Sequence, residues 1–159
     1  MRMMGGEDMT AREYLLQLKL LAIKIDQLQE ERSQLIASAT MTSVSLNPDK
    51  VQTSQTGGKV SRAMDKYVDL EKSISRMIDR YVKLKHDIIS EIQSLQDARY
   101  VELLYLRYVP NENHRVKRLE EIACIMRKPN GEPYSFDHIA HLHGEALQEF
   151  WKQHGNRNS

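Results

Sequence analysis

The sequence predicts an all-α protein, with a long antiparallel, coiled-coil-like helical hairpin followed by a small three-helix helix-turn-helix domain. Two long segments repeat apolar residues at alternating spacings of three and four, the period of a packed helix. The rest of the chain divides into three pieces of ordinary globular helix length. Apolar residues make up 40% of the 159 residues and aromatic residues only 6%, so aliphatic side chains must supply most of the packing.

The first long helix is predicted to begin at Thr10, because Thr10 and Glu13 have the spacing of a capping box. Its apolar seam is interrupted only by Arg32 and consists of Tyr14, Leu18, Leu21, Ile25, Leu28 and Leu35. Three further apolar residues widen the seam on one side: Leu15, Ala22 and Ile36. A wide seam favours packing in a hairpin or bundle over a bare two-stranded zipper.

Residues 1–9 precede this helix, and we expect either a disordered tail or a mis-assigned start. The codons of Gly5, Gly6 and Glu7 can form a purine-rich stretch that resembles a bacterial ribosome-binding site. We therefore expect translation to begin at Met9 rather than Met1. Residues 155–159 are also predicted to be a disordered tail.

Residues 40–59 are predicted to be a linker, because they contain seven Ser or Thr residues, an Asn-Pro-Asp turn signal and a Gly-Gly pair. A fold-back over the hairpin remains an alternative, carried by Met41, Val44, Leu46 and Val51. The second long helix is predicted from Ser61 to Ser94, with a seam of Tyr67, Leu70, Ile74, Met77, Tyr81, Leu84 and Ile88. Beyond Ile88 a stutter ends the supercoil.

Residues 10–96 are thus predicted to form the helical hairpin. Two alternatives stay open for its seams: they bury each other, or they join a second copy in a homodimer.

Residues 97–154 are predicted to form the smaller domain. Asp97 caps its first helix, which Pro110 ends, and the next helix runs from Val116 to Arg127. A turn of seven residues, 128–134, leads to a last helix capped by Ser135. The buried side of that helix is predicted to consist of Ile139, Leu142, Ala146 and Phe150.

Short motifs in this domain resemble known DNA-binding proteins. The segment Leu119-Glu120-Glu121-Ile122-Ala123 resembles the first helix of the motif in region 4 of bacterial sigma factors, and Tyr134 to Ile139 with Ala146-Leu147 resembles its recognition helix. Over residues 9–151, the chain is similar to a family of small phage and prophage proteins akin to the RinA-type and ArpU-type regulators of phage late genes. The start at Met9, the Leu46–Val51 segment and the His141–Leu147 segment carry that similarity.

This resemblance implies a DNA-binding transcriptional regulator of phage or prophage genes, with double-stranded DNA and RNA polymerase as partners, in the cytoplasm of a bacterial host cell. Two features depart from sigma-like domains. The connection between the two motif helices is longer than the usual three or four residues, and arginines that would read guanine are missing from the start of the last helix.

A rotation of about 100° per residue places a polar flank opposite the buried side of the last helix. The candidates for base contacts are Phe136, Asp137, His138, His141, Gly144 and Glu145. The candidates for phosphate contacts are Arg115, Lys117, Arg118, Arg127, Lys128 and Ser135. Gly144 indicates either close approach by a partner or a tolerated surface glycine. His143 is predicted at the edge of the core.

The charge balance limits the expected affinity for DNA. The whole chain has a formal charge of +1, and residues 97–159 contain nine Lys or Arg and nine Asp or Glu. A wholly electrostatic nucleic-acid binder is therefore excluded. About four phosphate contacts would give a log–log salt slope of about −3.6.

We predict no enzyme, no cofactor and no metal site. His138 and His141 lie one helical turn apart, but the chain has no H-E-x-x-H motif and only one cysteine, Cys124, which is predicted to be a small core side chain. A single cysteine also excludes an intrachain disulfide and fits a reducing compartment. No apolar run approaches the roughly 18 residues of a membrane span. The rival hypothesis is a helical-hairpin adaptor or structural phage protein that does not bind DNA.

Overall fold

The computed structural model describes residues 9–44 and 56–155. They form five helices: α1 (Ala11–Val44), α2 (Thr56–Gln93), α3 (Ala98–Tyr108), α4 (Leu119–Ile125) and α5 (Phe136–His154). The helices α1 and α2 form a long antiparallel pair, and the three smaller helices pack together, which confirms the predicted fold class. Within the two described ranges, no helix has a stretch long and apolar enough to cross a membrane.

The three predicted helix caps are confirmed. At the start of α1, the backbone N–H of Thr10 donates to Glu13 Oε2 at 2.7 Å, and the N–H of Glu13 donates to Thr10 Oγ1 at 3.3 Å. The bond from the Thr10 backbone lowers the pKa of Glu13. Asp97 Oδ1 accepts from the N–H of Arg99 at 2.9 Å. Ser135 Oγ accepts from the N–H of His138 at 3.2 Å.

The predicted linker at residues 40–59 is wrong at both ends. Helix α1 continues to Val44 and α2 begins at Thr56 instead of Ser61. Thr40 Oγ1 donates to the carbonyl of Ile36 at 2.8 Å, so this hydroxyl bonds within the helix instead of ending it. The predictions for residues 1–8, 45–55 and 156–159 lie outside the described residues.

The chain divides into two compact units, one of Met1–Ala22 with Tyr81–Ser159 and one of Ile23–Arg80. This division differs from the predicted boundary between residues 96 and 97. In the first unit, the start of α1 and the end of α2 share a core with α3, α4 and α5. Its largest fully buried side chains are Tyr108, Phe150, Leu15, Leu18, Ile88, Ile92, Leu103, Leu104, Ile122, Met126, Ile139 and Leu142.

The second unit buries less of its seam. Among the described residues of this unit, the buried apolar ones are Ile25, Leu70 and Ile74. The predicted widening of the seam fails at Ile36, which is 47% exposed. At the predicted interruption of the seam, Arg32 Nη1 lies 2.8 Å from Glu71 Oε1 of α2, and this hydrogen bond lowers the pKa of Glu71.

Candidate nucleic-acid interface

Helix α5 has the two sides that its sequence predicts. Ile139, Leu142, Ala146 and Phe150 are buried, with exposed fractions of 0 to 2%. All six base-contact candidates are exposed: Phe136, Asp137, His138, His141, Gly144 and Glu145. The helix therefore presents a continuous polar flank, with Phe136 at its first residue.

Two neighbours orient Glu145 on this flank. The Tyr100 hydroxyl of α3 donates to Glu145 Oε2 at 3.2 Å, and His141 Nε2 lies 3.4 Å from Glu145 Oε1. Burial, followed by the hydrogen bond to Glu145, raises the pKa of Tyr100. One oxygen of Glu145 is thus bonded to α3, while the other faces the exposed ring of His141.

The connection between α4 and α5 is a β-hairpin, where the sequence predicted only a turn. Arg127 and Pro133 form an antiparallel bridge, and the N–H of Lys128 donates to the carbonyl of Glu132 at 2.9 Å. The N–H of Gly131 donates to the Lys128 carbonyl at 2.8 Å, and Gly131 has a φ of 86°. This is a three-residue hairpin loop whose last position favours glycine. The Pro-Asn-Gly sequence at its tip is the signal that could have revealed it.

The hairpin shortens α4 relative to the prediction. Met126, just after the helix, has the extended backbone that leads into the bridge at Arg127. At the other end, the N–H of Lys117 donates to the Leu106 carbonyl of α3 at 3.2 Å, so the chain is still outside the helix there. The predicted span Val116 to Arg127 is therefore too long at both ends.

Contacts among three side chains join the β-hairpin to α5. Tyr134 is buried and makes an edge contact with the His138 ring, with centroids 4.9 Å apart. Lys128 Nζ lies 5.9 Å from the centroid of the Tyr134 ring. These contacts hold the ammonium of Lys128 beside the first turn of α5.

The structure separates the phosphate-contact candidates into two groups. Arg127, Lys128 and Ser135 lie on the hairpin and at the start of α5, next to the base-contact candidates. The other group lies on the connection between α3 and α4 and consists of Arg115, Lys117 and Arg118. Of the six, Lys117 and Lys128 are half-buried and the others are exposed.

Asn111 organises the α3–α4 connection, a role that the sequence prediction missed. Asn111 Oδ1 accepts from the N–H groups of Asn113 and Arg115, at 2.9 and 3.0 Å. An Asx turn of this kind is readable in principle from the Asn that follows Pro110. The same loop holds His114 at a φ of 57°.

His143 lies at the edge of the core, as predicted. Its Nε2 is 2.7 Å from the Tyr108 hydroxyl, and the two rings stack with centroids 5.7 Å apart. Burial, followed by the charges of Arg107 and Arg12, lowers the pKa of His143 to about 4. The ring is therefore neutral at pH 7 and carries no charge for a phosphate.

Cys124 is exposed, so its prediction as a core side chain is wrong. It lies about 160° around α4 from Ile122, a fully buried residue of that helix. Among the described residues, no group of three His, Cys, Asp or Glu side chains could hold a metal ion. His154 contacts the last turn of α2, with Nε2 3.1 Å from the carbonyl of Glu91.

No protein-family model, no curated protein and no solved structure matches this chain. Its class must therefore be defined by its own geometry. That geometry is a packed trio of short helices that presents the polar flank of its last member, with a β-hairpin inserted before that helix.

Proposed function

We propose that the protein is a DNA-binding transcriptional regulator of phage or prophage genes, with α5 as its recognition helix. The observation that carries the proposal is the exposed flank of α5, opposite a side that is buried within the helix trio. The B-DNA major groove is wide enough to admit an α-helix that presents its exposed polar side to the bases. The resemblance to sigma region 4 supports the proposal, and such a regulator acts in the cytoplasm of the bacterial host.

The side chains of the flank suit base readout without arginine. Carboxylates accept hydrogen bonds from the amino group of cytosine, so Asp137 and Glu145 favour cytosine-containing strands. His141 can donate to a purine acceptor, and Phe136 can contact the methyl group of thymine. Because Tyr100 holds Glu145, the carboxylate loses little side-chain freedom on binding.

The hairpin supplies two basic side chains beside the start of the flank. Arg127 is exposed, and Tyr134 holds Lys128 next to the first turn of α5. The balance of charges in residues 97–159 keeps the expected affinity modest. In this proposal RNA polymerase, whose contact rests on the resemblance alone, or a second copy of the chain adds to the affinity.

The test removes the hairpin charges. Selection from a random duplex library at about 50 mM salt identifies the preferred site, and fluorescence anisotropy then measures the affinity of variants for it. The double variant Arg127→Ala/Lys128→Ala should weaken binding and reduce the log–log salt slope by about 1.8. The matched control, Lys19→Ala/Lys83→Ala, removes two exposed cations elsewhere and should bind as the unmodified protein does.

His141→Ala tests base readout in the same assay, and it should change the selected sequence more than the affinity. If the protein shows no salt-sensitive DNA binding under these conditions, the regulator proposal is wrong. If Arg127→Ala/Lys128→Ala and the control weaken binding equally, the β-hairpin is not part of the DNA interface.

One observation favours the rival role as an adaptor or structural protein. Within residues 23–80, several large apolar side chains are at least 37% exposed: Ile23, Ile36, Met41, Val60, Met64, Val68 and Ile78. These exposed apolar side chains are available for contact with a partner protein or a second copy. An adaptor would bind through this region with no DNA affinity, so the anisotropy assay separates the two functions.

A further inference from the structure

A groove runs between the start of α1 and the end of α5. It is shallow and open to solvent, with a volume of about 530 Å³, so an extended ligand can lie along it. Its walls are Met9, Thr10, Ala11 and Arg12 on one side and Leu147, Gln148, Trp151 and Lys152 on the other. All of these residues belong to the same compact unit.

The half-buried Trp151 is held in place within this groove. Its ring centroid lies 6.5 Å from that of Tyr14 in α1. Behind it, Gly155 leaves no room for a side chain, because a Cβ there would lie 2.8 Å from Trp151 Cε2. The indole is thus a preorganised apolar surface, and aromatic side chains of this kind often dominate binding energy.

The groove also has a positive rim. Arg12 and Lys152 are exposed on opposite walls, and neither forms an ion pair with a carboxylate in the part of the chain that the structure describes. The charge of Arg12 acts on its surroundings, since it contributes to the lowered pKa of His143. Two cations that flank an apolar floor complement a ligand with carboxylates on either side of an apolar group.

We propose that this groove binds a short acidic peptide segment of a partner protein. A large apolar side chain of the peptide packs against Trp151 and Leu147, and flanking carboxylates pair with Arg12 and Lys152. A single-stranded nucleic acid fits less well, because such strands bind along a basic track with several stacking aromatics. Here the floor has one indole beside aliphatic side chains, and the rim has only two cations.

The experiment uses the full chain and its only tryptophan as the probe. Trp151 emission is titrated at low salt with an acetylated nonapeptide, Asp-Glu-Leu-Asp-Phe-Glu-Leu-Asp-Glu. We expect a saturable shift, and no shift with the same peptide carrying Lys at every acidic position. The variant Arg12→Gln/Lys152→Gln should weaken binding about five-fold, and the control Lys19→Gln/Lys83→Gln should leave it unchanged.

A second variant tests the indole itself. Gly155→Ala must displace the Trp151 ring, so it should weaken binding of a labelled peptide measured by anisotropy while circular dichroism keeps its helical signal. The proposal is overturned by equal affinity for the acidic and basic peptides, or by unchanged affinity in the Arg12→Gln/Lys152→Gln variant. It is also overturned if a single-stranded DNA of nine thymidines binds in place of the peptide. A Trp151 emission that changes with protein concentration alone would overturn it too, because the occupant would then be a second copy of the chain.

Discussion

The two compact units carry the same seam pattern but bury it to different extents. In the first unit, four of the six seam residues are buried: Leu18, Leu21, Tyr81 and Ile88. In residues 23–80, three of the seven seam residues are buried, and Leu28, Leu35, Tyr67 and Met77 are half-buried. The spacing of apolar residues therefore predicts which side of a helix packs, and it does not predict how deeply that side is buried.

The difference follows from a third layer of structure. In the first unit, α5 packs against α1 through Phe150 and Tyr14, whose rings stack with centroids 6.1 Å apart. Its end also contacts α2, where His154 Nε2 lies 3.1 Å from the carbonyl of Glu91. The described residues of the range 23–80 all belong to α1 and α2. Two helices alone leave the outer edges of their seam in contact with solvent.

The largest expected effect comes from truncating one leucine in each unit. Leu18→Ala should lower the free energy of unfolding by about 3 kcal/mol, because it leaves a cavity in a fully buried site. Leu35→Ala changes the same residue type on the same seam of α1. It should lower the free energy of unfolding by only about 1 kcal/mol, because Leu35 is half-buried and less buried apolar area is lost. Urea denaturation followed by circular dichroism measures both.

Equal losses for the two variants would contradict this comparison. They would mean that residues 23–80 bury their seam in solution by self-association. In that case, the loss for Leu35→Ala should depend on protein concentration, which sedimentation equilibrium tests.

The next largest effect is a pH dependence of the first unit. His143 has a pKa of about 4 when folded against an ordinary value of 6.5, so the unfolded chain binds its proton first. Stability is therefore lost as the pH falls from about 6.5 towards 4, with a loss of about 2 kcal/mol by pH 5. Urea denaturation followed by Trp151 emission at pH 7 and pH 5 measures it.

The control variant for this effect is His143→Gln, which removes the titrating ring and can still bond to the Tyr108 hydroxyl. It should lose little stability between pH 7 and pH 5. Glu13, Glu71 and Asp97 also have lowered pKa values, but they destabilise only below their ordinary values of 4.5, 4.5 and 3.8. An identical pH dependence in His143→Gln would exclude the ring as its source.

Local sequence signals predicted the features that depend on neighbouring residues. The caps at Thr10, Asp97 and Ser135 need only a side-chain oxygen and a nearby N–H, and all three are present. The buried side of α5 follows from its period. The sequence did not predict the extension of α1 to Val44. Ser and Thr side chains can bond to the backbone in a loop or in a helix, and the two states differ little in free energy.

The candidate site was predicted less completely, because it depends on contacts between distant residues. The exposure of Asp137 and His141 follows from helical rotation. The bond from Tyr100 to Glu145 joins residues 45 positions apart, and no local pattern specifies it. The same holds for the groove at Trp151, which forms only where the start of α1 meets the end of α5.

The smallest expected effect compares one glycine in each unit. A Cβ added at Gly144 of α5 or at Gly58 of α2 would contact nothing within 4 Å. Gly144→Ala should raise the free energy of unfolding by about 1 kcal/mol, because alanine loses less backbone entropy in mid-helix. Gly58 lies in the first turn of α2, where helices fray, so Gly58→Ala should give a smaller gain in stability.

The same Gly144→Ala variant tests whether this glycine serves DNA binding. If it stabilises the free protein and yet weakens binding to the selected duplex, the bare backbone at Gly144 allows close approach to DNA. Unchanged binding would make Gly144 a tolerated surface glycine.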